Sequence, residues 1–287
     1  MTEEDKTTQQ AEQQPLTKEM VGDSTLSRLS LRLGPGRVDV AVYNPLENGS
    51  LLTRTRKLAD DGGDDAAYLK SLEDFVYANP LLLCDFASVD VIVETSRFAV
   101  VPAELSDDDS VRMLRMTHPD MEKDAAVEVT RLPELEAAVV MGLPQPLVSF
   151  LRRTFPTVTL AHSLVPLMRF FRSKIPAGNS VKALVNFRDD SADIIIEKHS
   201  GLLLANRYES SEPADLLYYV LSAVSRITPK AEEVYLSGSH TLRDAVTPEL
   251  RRFHPYVMPM IFPSEMFRAG SCAMTLPFDL AILPLCK

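Results

Sequence analysis

The chain has 287 residues, 45% of them hydrophobic and 24% charged, with a formal net charge of -10. That length is too great for one small core and suits two domains of ordinary size. The acidic balance argues against a nucleic-acid partner and against an anionic membrane surface, both of which call for clustered Lys and Arg. Three cysteines, Cys84, Cys272 and Cys286, stand at no metal-ligand spacing. Cys84, in an apolar run, reads as a buried thiol in a reducing compartment. The N-terminal stretch carries Glu3, Glu4, Asp5 and several glutamines without an apolar h-region, and no apolar run approaches the ~20 residues that span a bilayer. The expectation is a cytoplasmic protein.

Residues 1–23 are too polar to offset their ordering entropy and read as a disordered tail. Alternation of polar and apolar residues then predicts a half-buried strand at residues 28–33 and another at 37–43, and a third strand follows at 51–56, joined by the turns Gly34-Pro35-Gly36 and Asn48-Gly49. A helix over 64–78 follows, its apolar face formed by Leu69, Leu72, Phe75 and Val76. Next come an apolar strand at 89–93, a short strand at 97–102 and a helix over 106–116. Ser106 is its N-cap, and Asp107, Asp108 and Asp109 face the helix dipole. A strand pair at 126–132 and 136–141, a helix over 144–155, a strand at 158–161 and a helix over 165–174 complete the first half.

The second half repeats the order. Strands at 181–187, 192–197 and 202–207 precede a helix opened by Ser211, Glu212 and Pro213. A strand at 233–236 and a helix over 242–253 follow. The apolar run 278–285 reads as a final strand. Strand–strand–strand–helix thus occurs twice, roughly 150 residues apart, about one domain length.

Two such units, each continued by alternating strands and helices, resemble the ribonuclease-H-like superfamily, to which actin and the bacterial actin-like division and pilus-assembly proteins belong. Residues 97–105, the acidic helix start after them, Pro133 to Ala137, Phe155-Pro156 and His162 are similar to a family of uncharacterised bacterial proteins with an actin-like ATPase fold. The resemblance implies an α/β, duplicated ribonuclease-H-like fold with two βββαβα-type lobes around a cleft. Residues 24–176 would form the first lobe, with inserted strands, and 177–287 the second.

It also implies where a nucleotide would sit. In active members the first turn of each lobe carries an Asp for metal and water and a Gly whose backbone approaches the phosphates. Here Arg32 stands at the first Asp position, and Pro35, between Gly34 and Gly36, has no N–H to donate. Asn186 and Arg188 replace Asp and Gly in the second turn. Gly238 and Ser239, after an apolar strand, keep some character of the adenosine loop. Arg32, Gly34, Gly36, Asn186, Arg188, Gly238 and Ser239 are therefore the nucleotide-binding candidates, for ATP with magnesium if any cofactor binds. Arg32 and Arg188 suit an anion but cannot replace a metal-binding carboxylate.

The remaining acids admit two readings each. Asp189 and Asp190 could hold a metal, although Asp is common in strand turns for local hydrogen bonding. Glu94, at the end of an apolar strand, could serve as a general base, or stand as an ion-paired surface residue. The stretch Asp60-Asp61-Gly62-Gly63-Asp64-Asp65 lacks EF-hand spacing, and no metal site is expected there. His162, between a strand and a helix, reads as a hydrogen-bonded structural residue. The expectation is a catalytically degenerate scaffold or interaction protein with an unidentified protein partner. The alternative is a divergent ATPase or kinase using Glu94, Asp189 or Asp190 in the interlobe cleft.

Overall fold

Alternation in residues 28–57 is realised as an antiparallel meander of β1 (Arg28–Gly34), β2 (Arg37–Asn44) and β3 (Ser50–Lys57). The computed structural model describes residues 14–47, 50–59, 65–175, 178, 180–227, 230–270 and 272–286. Asn48-Gly49 and residues 60–64 of the acidic loop lie outside them. Helix α1 (Asp65–Tyr77) adds Leu72 and Val76 to the core under the meander. Strands β4 (Ser88–Val93) and β8 (Val158–His162) then join in parallel, giving the order β3-β2-β1-β4-β8.

The second half builds the same sheet from β9 (Val181–Phe187), β10 (Ser191–Lys198), β11 (Gly201–Glu209), β12 (Glu233–Gly238) and β13 (Val257–Pro259), in the order β11-β10-β9-β12-β13. β13 has three residues, the last of them Pro259, too few to show a period, so its pattern is silent in the sequence. Inserted within the first half, β5 (Phe98–Pro102), β6 (Ala126–Leu132) and β7 (Ala137–Leu143) form a third sheet, β5-β7-β6, on which α2 (Asp107–Thr117) packs. Ser106 caps α2, accepting the Asp109 N–H at 3.1 Å. Helices α3 (Gln145–Thr154) and α4 (Leu164–Arg172) complete the first half; α5 (Pro213–Arg226) and α6 (His240–Phe253) cover the second sheet.

Five expectations need correction. β1 and β2, read as half-buried, are buried on both faces, because the face carrying Ser30, Arg32 and Asp39 is covered as well. The cover is the chain's own C-terminal region, where residues 278–285 are not a strand but helix α9 (Phe278–Ile282) and a 3-10 turn (Leu283–Leu285). Two short helices, α7 (Ser264–Arg268) and α8 (Cys272–Thr275), lead into it. Apart from Asp279 the run is apolar and has no period to separate strand from buried helix, and Pro277 and Pro284 favour the helical start and the turn. This region joins the core of the first lobe, with Leu280, Ala281 and Ile282 fully buried. Order also begins before residue 23. Leu16 is fully buried, its N–H donating to Asn79 Oδ1 at 2.7 Å while its carbonyl accepts the Leu81 N–H at 3.0 Å. Cys84 is partly exposed rather than buried, and α5 takes Glu212, not Ser211, at its N-cap.

Candidate functional site

The two meanders place equivalent residues at equivalent ladder positions. In the first, Arg32 of β1 faces Asp39 of β2, which faces Thr55 of β3. In the second, Asn186 of β9 faces Asp193 of β10, which faces Arg207 of β11. Each Asp thus lies on the second strand of its hairpin, just past the turn that would hold phosphate. The parallel strand β4 ends beside these positions at Val93, just before Glu94, and β12 ends at Gly238. In open α/β sheets such carboxyl ends are where ligands bind.

Side chains from both lobes meet there in one ion network. Arg32 bonds Asp39 (Nη1 to Oδ2, 3.3 Å), Asp279 (Nε to Oδ2, 3.1 Å) and Glu94. Arg188 bonds Asp193 (2.7 Å), Asp279 (3.1 Å) and Glu94 (3.2 Å). Arg207 bonds Asp193 at 2.7 Å, and Arg37 bonds Asp39 at 2.6 Å. The hydroxyl oxygen of Ser163 accepts from both Arg188 and Arg207, and Thr55 donates to Asp39 at 2.7 Å. Four guanidiniums, of Arg32, Arg37, Arg188 and Arg207, thus stand against four carboxylates, of Asp39, Glu94, Asp193 and Asp279, and the network sums to zero charge.

Burial alone would disfavour every charge in it; pairing reverses that. For Asp193, burial acts to raise the carboxyl, and the Arg188 and Arg207 guanidiniums overcome it, holding it well below the usual carboxylate range. Asp279 is likewise held low, against burial, by Arg32 and then Arg188. Arg32 and Arg188 are held above their ordinary values by the same acids despite burial. Behind the network, His162 accepts the Leu164 N–H on Nδ1 and donates from Nε2 to the Thr95 carbonyl at 2.9 Å. Burial and then the nearby Arg207 charge push it down to about 3, so it is neutral and structural.

A cleft of about 710 Å³ opens onto the network, with Arg32, Glu94, Arg188 and Asp279 in its floor. Of the residues singled out in the sequence, Asn186, Asp189, Asp190, Gly238 and Ser239 also line it. Asn186 is spent internally: its Nδ2 donates to Asp193 at 3.3 Å and its Oδ1 accepts from Ser237 at 3.0 Å. Asp189 and Asp190 are exposed; Asp190 accepts locally from Ser191 at 3.1 Å, and Asp189 accepts from Ser239, after β12, at 3.1 Å. Gly34 lies behind the cleft wall, its carbonyl accepting from Tyr68 at 3.3 Å. Gly36 serves the turn, at φ 59°, and does not line the cleft. Gly238 is held at φ 84°, and a Cβ there would stand 2.0 Å from the Phe187 carbonyl oxygen, so only glycine fits.

Sequence reasoning missed Asp39, Asp193, Arg207 and Asp279. The signal for the first two was present: an Asp inside an apolar strand, at the same offset in both meanders. Asp279 had none, because its partners lie 247 and 91 residues away in the chain. Nor do the residues suit a magnesium nucleotide as they stand. Asp39 and Asp193, the acids nearest a metal position, are saturated by guanidinium and hydroxyl donors, and Pro35 offers no N–H. Among the described residues no cluster of His, Cys, Asp and Glu could hold a metal ion.

Two sheets of matching order, meeting at a cleft floored by the ends of their central strands, define the actin-like ATPase fold. A Bacteroides thetaiotaomicron protein with actin-like ATPase fold and unknown function aligns at TM-score 0.76 and 22% identity, over 93% of this chain and 100% of that one. A chain of the PilM-PilN type IV pilus biogenesis complex aligns at TM-score 0.57 and 13% identity, over 91% of this chain and 98% of that one. At such identities the likeness speaks for the fold alone. The sequence itself, over residues 18–257, matches the model of the family described as "Protein of unknown function (DUF3822)", and the chain belongs to that family. None of the curated proteins matches it significantly.

Proposed function

We propose that this chain is a noncatalytic member of the actin-like fold that works as an interaction or scaffold protein. The observation that carries the reading is the neutral ion network at the cleft floor. A catalytic phosphate site needs unpaired acids for metal and open backbone donors for oxygens. Here every acid in that position is committed to arginine, and a triphosphate would meet no uncompensated positive charge. The two lobes, 24–176 and 177–287, would then form a rigid body offering its surface to a protein partner. The C-terminal helices belong structurally with the first lobe. The likeness to a chain from a pilus-biogenesis complex supports partner binding as a use of this fold. Three free thiols fit a cytoplasmic setting, and among the described residues no helix is long and apolar enough to cross a membrane.

Isothermal titration with ATP and magnesium, paired with a phosphate-release assay, tests the reading. The expected outcome is neither saturable heat nor release above background. Micromolar binding with steady turnover overturns it and returns Glu94, Asp189 and Asp190 to consideration as catalytic groups.

A further inference from the structure

Asp279 Oδ2 lies 3.1 Å from Arg32 Nε and 3.1 Å from Arg188 Nη2. One oxygen therefore bridges two guanidiniums contributed by equivalent hairpins of the two lobes. The other carboxylate oxygen accepts the Leu280 N–H at 2.8 Å. Arg32, Arg188 and Asp279 are each more than nine-tenths buried, yet all three line the floor of the cleft. Two convergent guanidiniums at the base of an open cleft are the chemistry that receives an oxyanion.

The carboxylate filling that place is delivered by a segment with its own anchors. Phe278 packs edge-on to Phe170 with centroids 5.6 Å apart, Leu280, Ala281 and Ile282 are fully buried, and Arg28 donates to the Pro284 carbonyl at 2.6 Å. Those contacts hold the segment whether or not its acid is present. Removal of the Asp279 charge leaves four guanidiniums against three acids, with an uncompensated positive charge at the floor of the cleft.

We propose that the point between Arg32 and Arg188 is an oxyanion-binding site that the chain fills in cis with Asp279, so that its own C-terminal segment keeps phosphate or carboxylate ligands out. The inference deepens the noncatalytic reading, since it names what keeps the cleft without ligand, and it rests on that reading. The two fail separately: ATP turnover by the native chain bears on the first, and oxyanion affinity of a charge-deleted variant bears on the second.

The experiment compares the native chain with Asp279→Ala and Asp279→Asn by thermal denaturation in inorganic phosphate and in acetate, against sodium chloride of equal ionic strength. Phosphate or acetate is expected to raise the melting temperature of the variants in a saturable way and to leave the native chain at its chloride value. A larger gain with phosphate identifies a tetrahedral oxyanion as the ligand class, and a larger gain with acetate identifies a carboxylate. Adding Arg32→Gln to either variant is expected to remove the gain. If folded variants respond no more than the native chain, the site does not exist. If neither variant folds, the native chain decides: an oxyanion gain that Arg32→Gln removes shows the site open beside Asp279 and also overturns the proposal.

Discussion

Glu197 is the side chain most at odds with its surroundings. It lies on β10, fully buried, and neither carboxylate oxygen has a hydrogen-bond partner among the described residues. Burial, against the attraction of Arg172 and with the repulsion of Glu134, pushes it up to about 8, so near neutral pH it carries a proton. The unfolded chain releases that proton near the ordinary value of 4.5. Between there and about 8 the native state binds more protons than the unfolded one, and stability falls as pH rises, by a few kcal/mol over the whole range. Glu197→Gln should abolish that slope and raise stability at about pH 8, while leaving it nearly unchanged at about pH 5; urea denaturation at the two values measures both. Nothing in the sequence marked this residue, because a Glu at the end of a strand reads as solvent-facing. The other lobe packed over that face makes it buried.

Among the elements, the N-terminal strap and the C-terminal helix share one lesson. Leu16 sits in a polar stretch with no periodic neighbours, yet it fills a core position beside Leu81 and Leu82. Leu16→Ala is expected to cost about 2–5 kcal/mol, as for other fully buried leucines. A loss near zero in guanidinium denaturation would mean that the strap is not part of the folded unit. The strands of both meanders, by contrast, were legible almost to the residue, since alternation and turn residues are local properties. β13 and α9 were not, because one is too short to show a period and the other, apart from Asp279, is apolar on every side. The tertiary setting alone, a parallel partner for β13 and a pocket on the first lobe for α9, selects their conformations.

For the molecule as a whole, the ion network is the joint between the lobes. Arg32 and Glu94 come from one lobe, Arg188 and Asp193 from the other, and Asp279 from the C-terminal segment that returns to the first. A buried network of this kind is stabilising only while every partner is present. Arg188→Gln leaves Asp193, Asp279 and Glu94 one cation short, and the expected loss is about 3–5 kcal/mol in denaturant unfolding. A loss under about 1 kcal/mol would place the joint elsewhere. The pH sign follows from the same groups. Asp193 and Asp279 are depressed below the ordinary aspartate value of 3.8, so their contribution is complete above it and is lost as pH falls through their folded values.

The amino-acid order alone determined the duplicated strand–strand–strand–helix plan and, at the two turns where the fold's active members carry Asp and Gly, the presence of Arg32, Asn186 and Arg188 instead. All of these are written within a few residues of one another. Only the folded molecule decided what those arginines do. Asp39, Asp193, Glu94 and Asp279 reach them across strands, across lobes and from the far end of the chain. Such pairings depend on distances through space that no local pattern encodes, and they make the floor of the cleft a neutral joint closed by the chain itself.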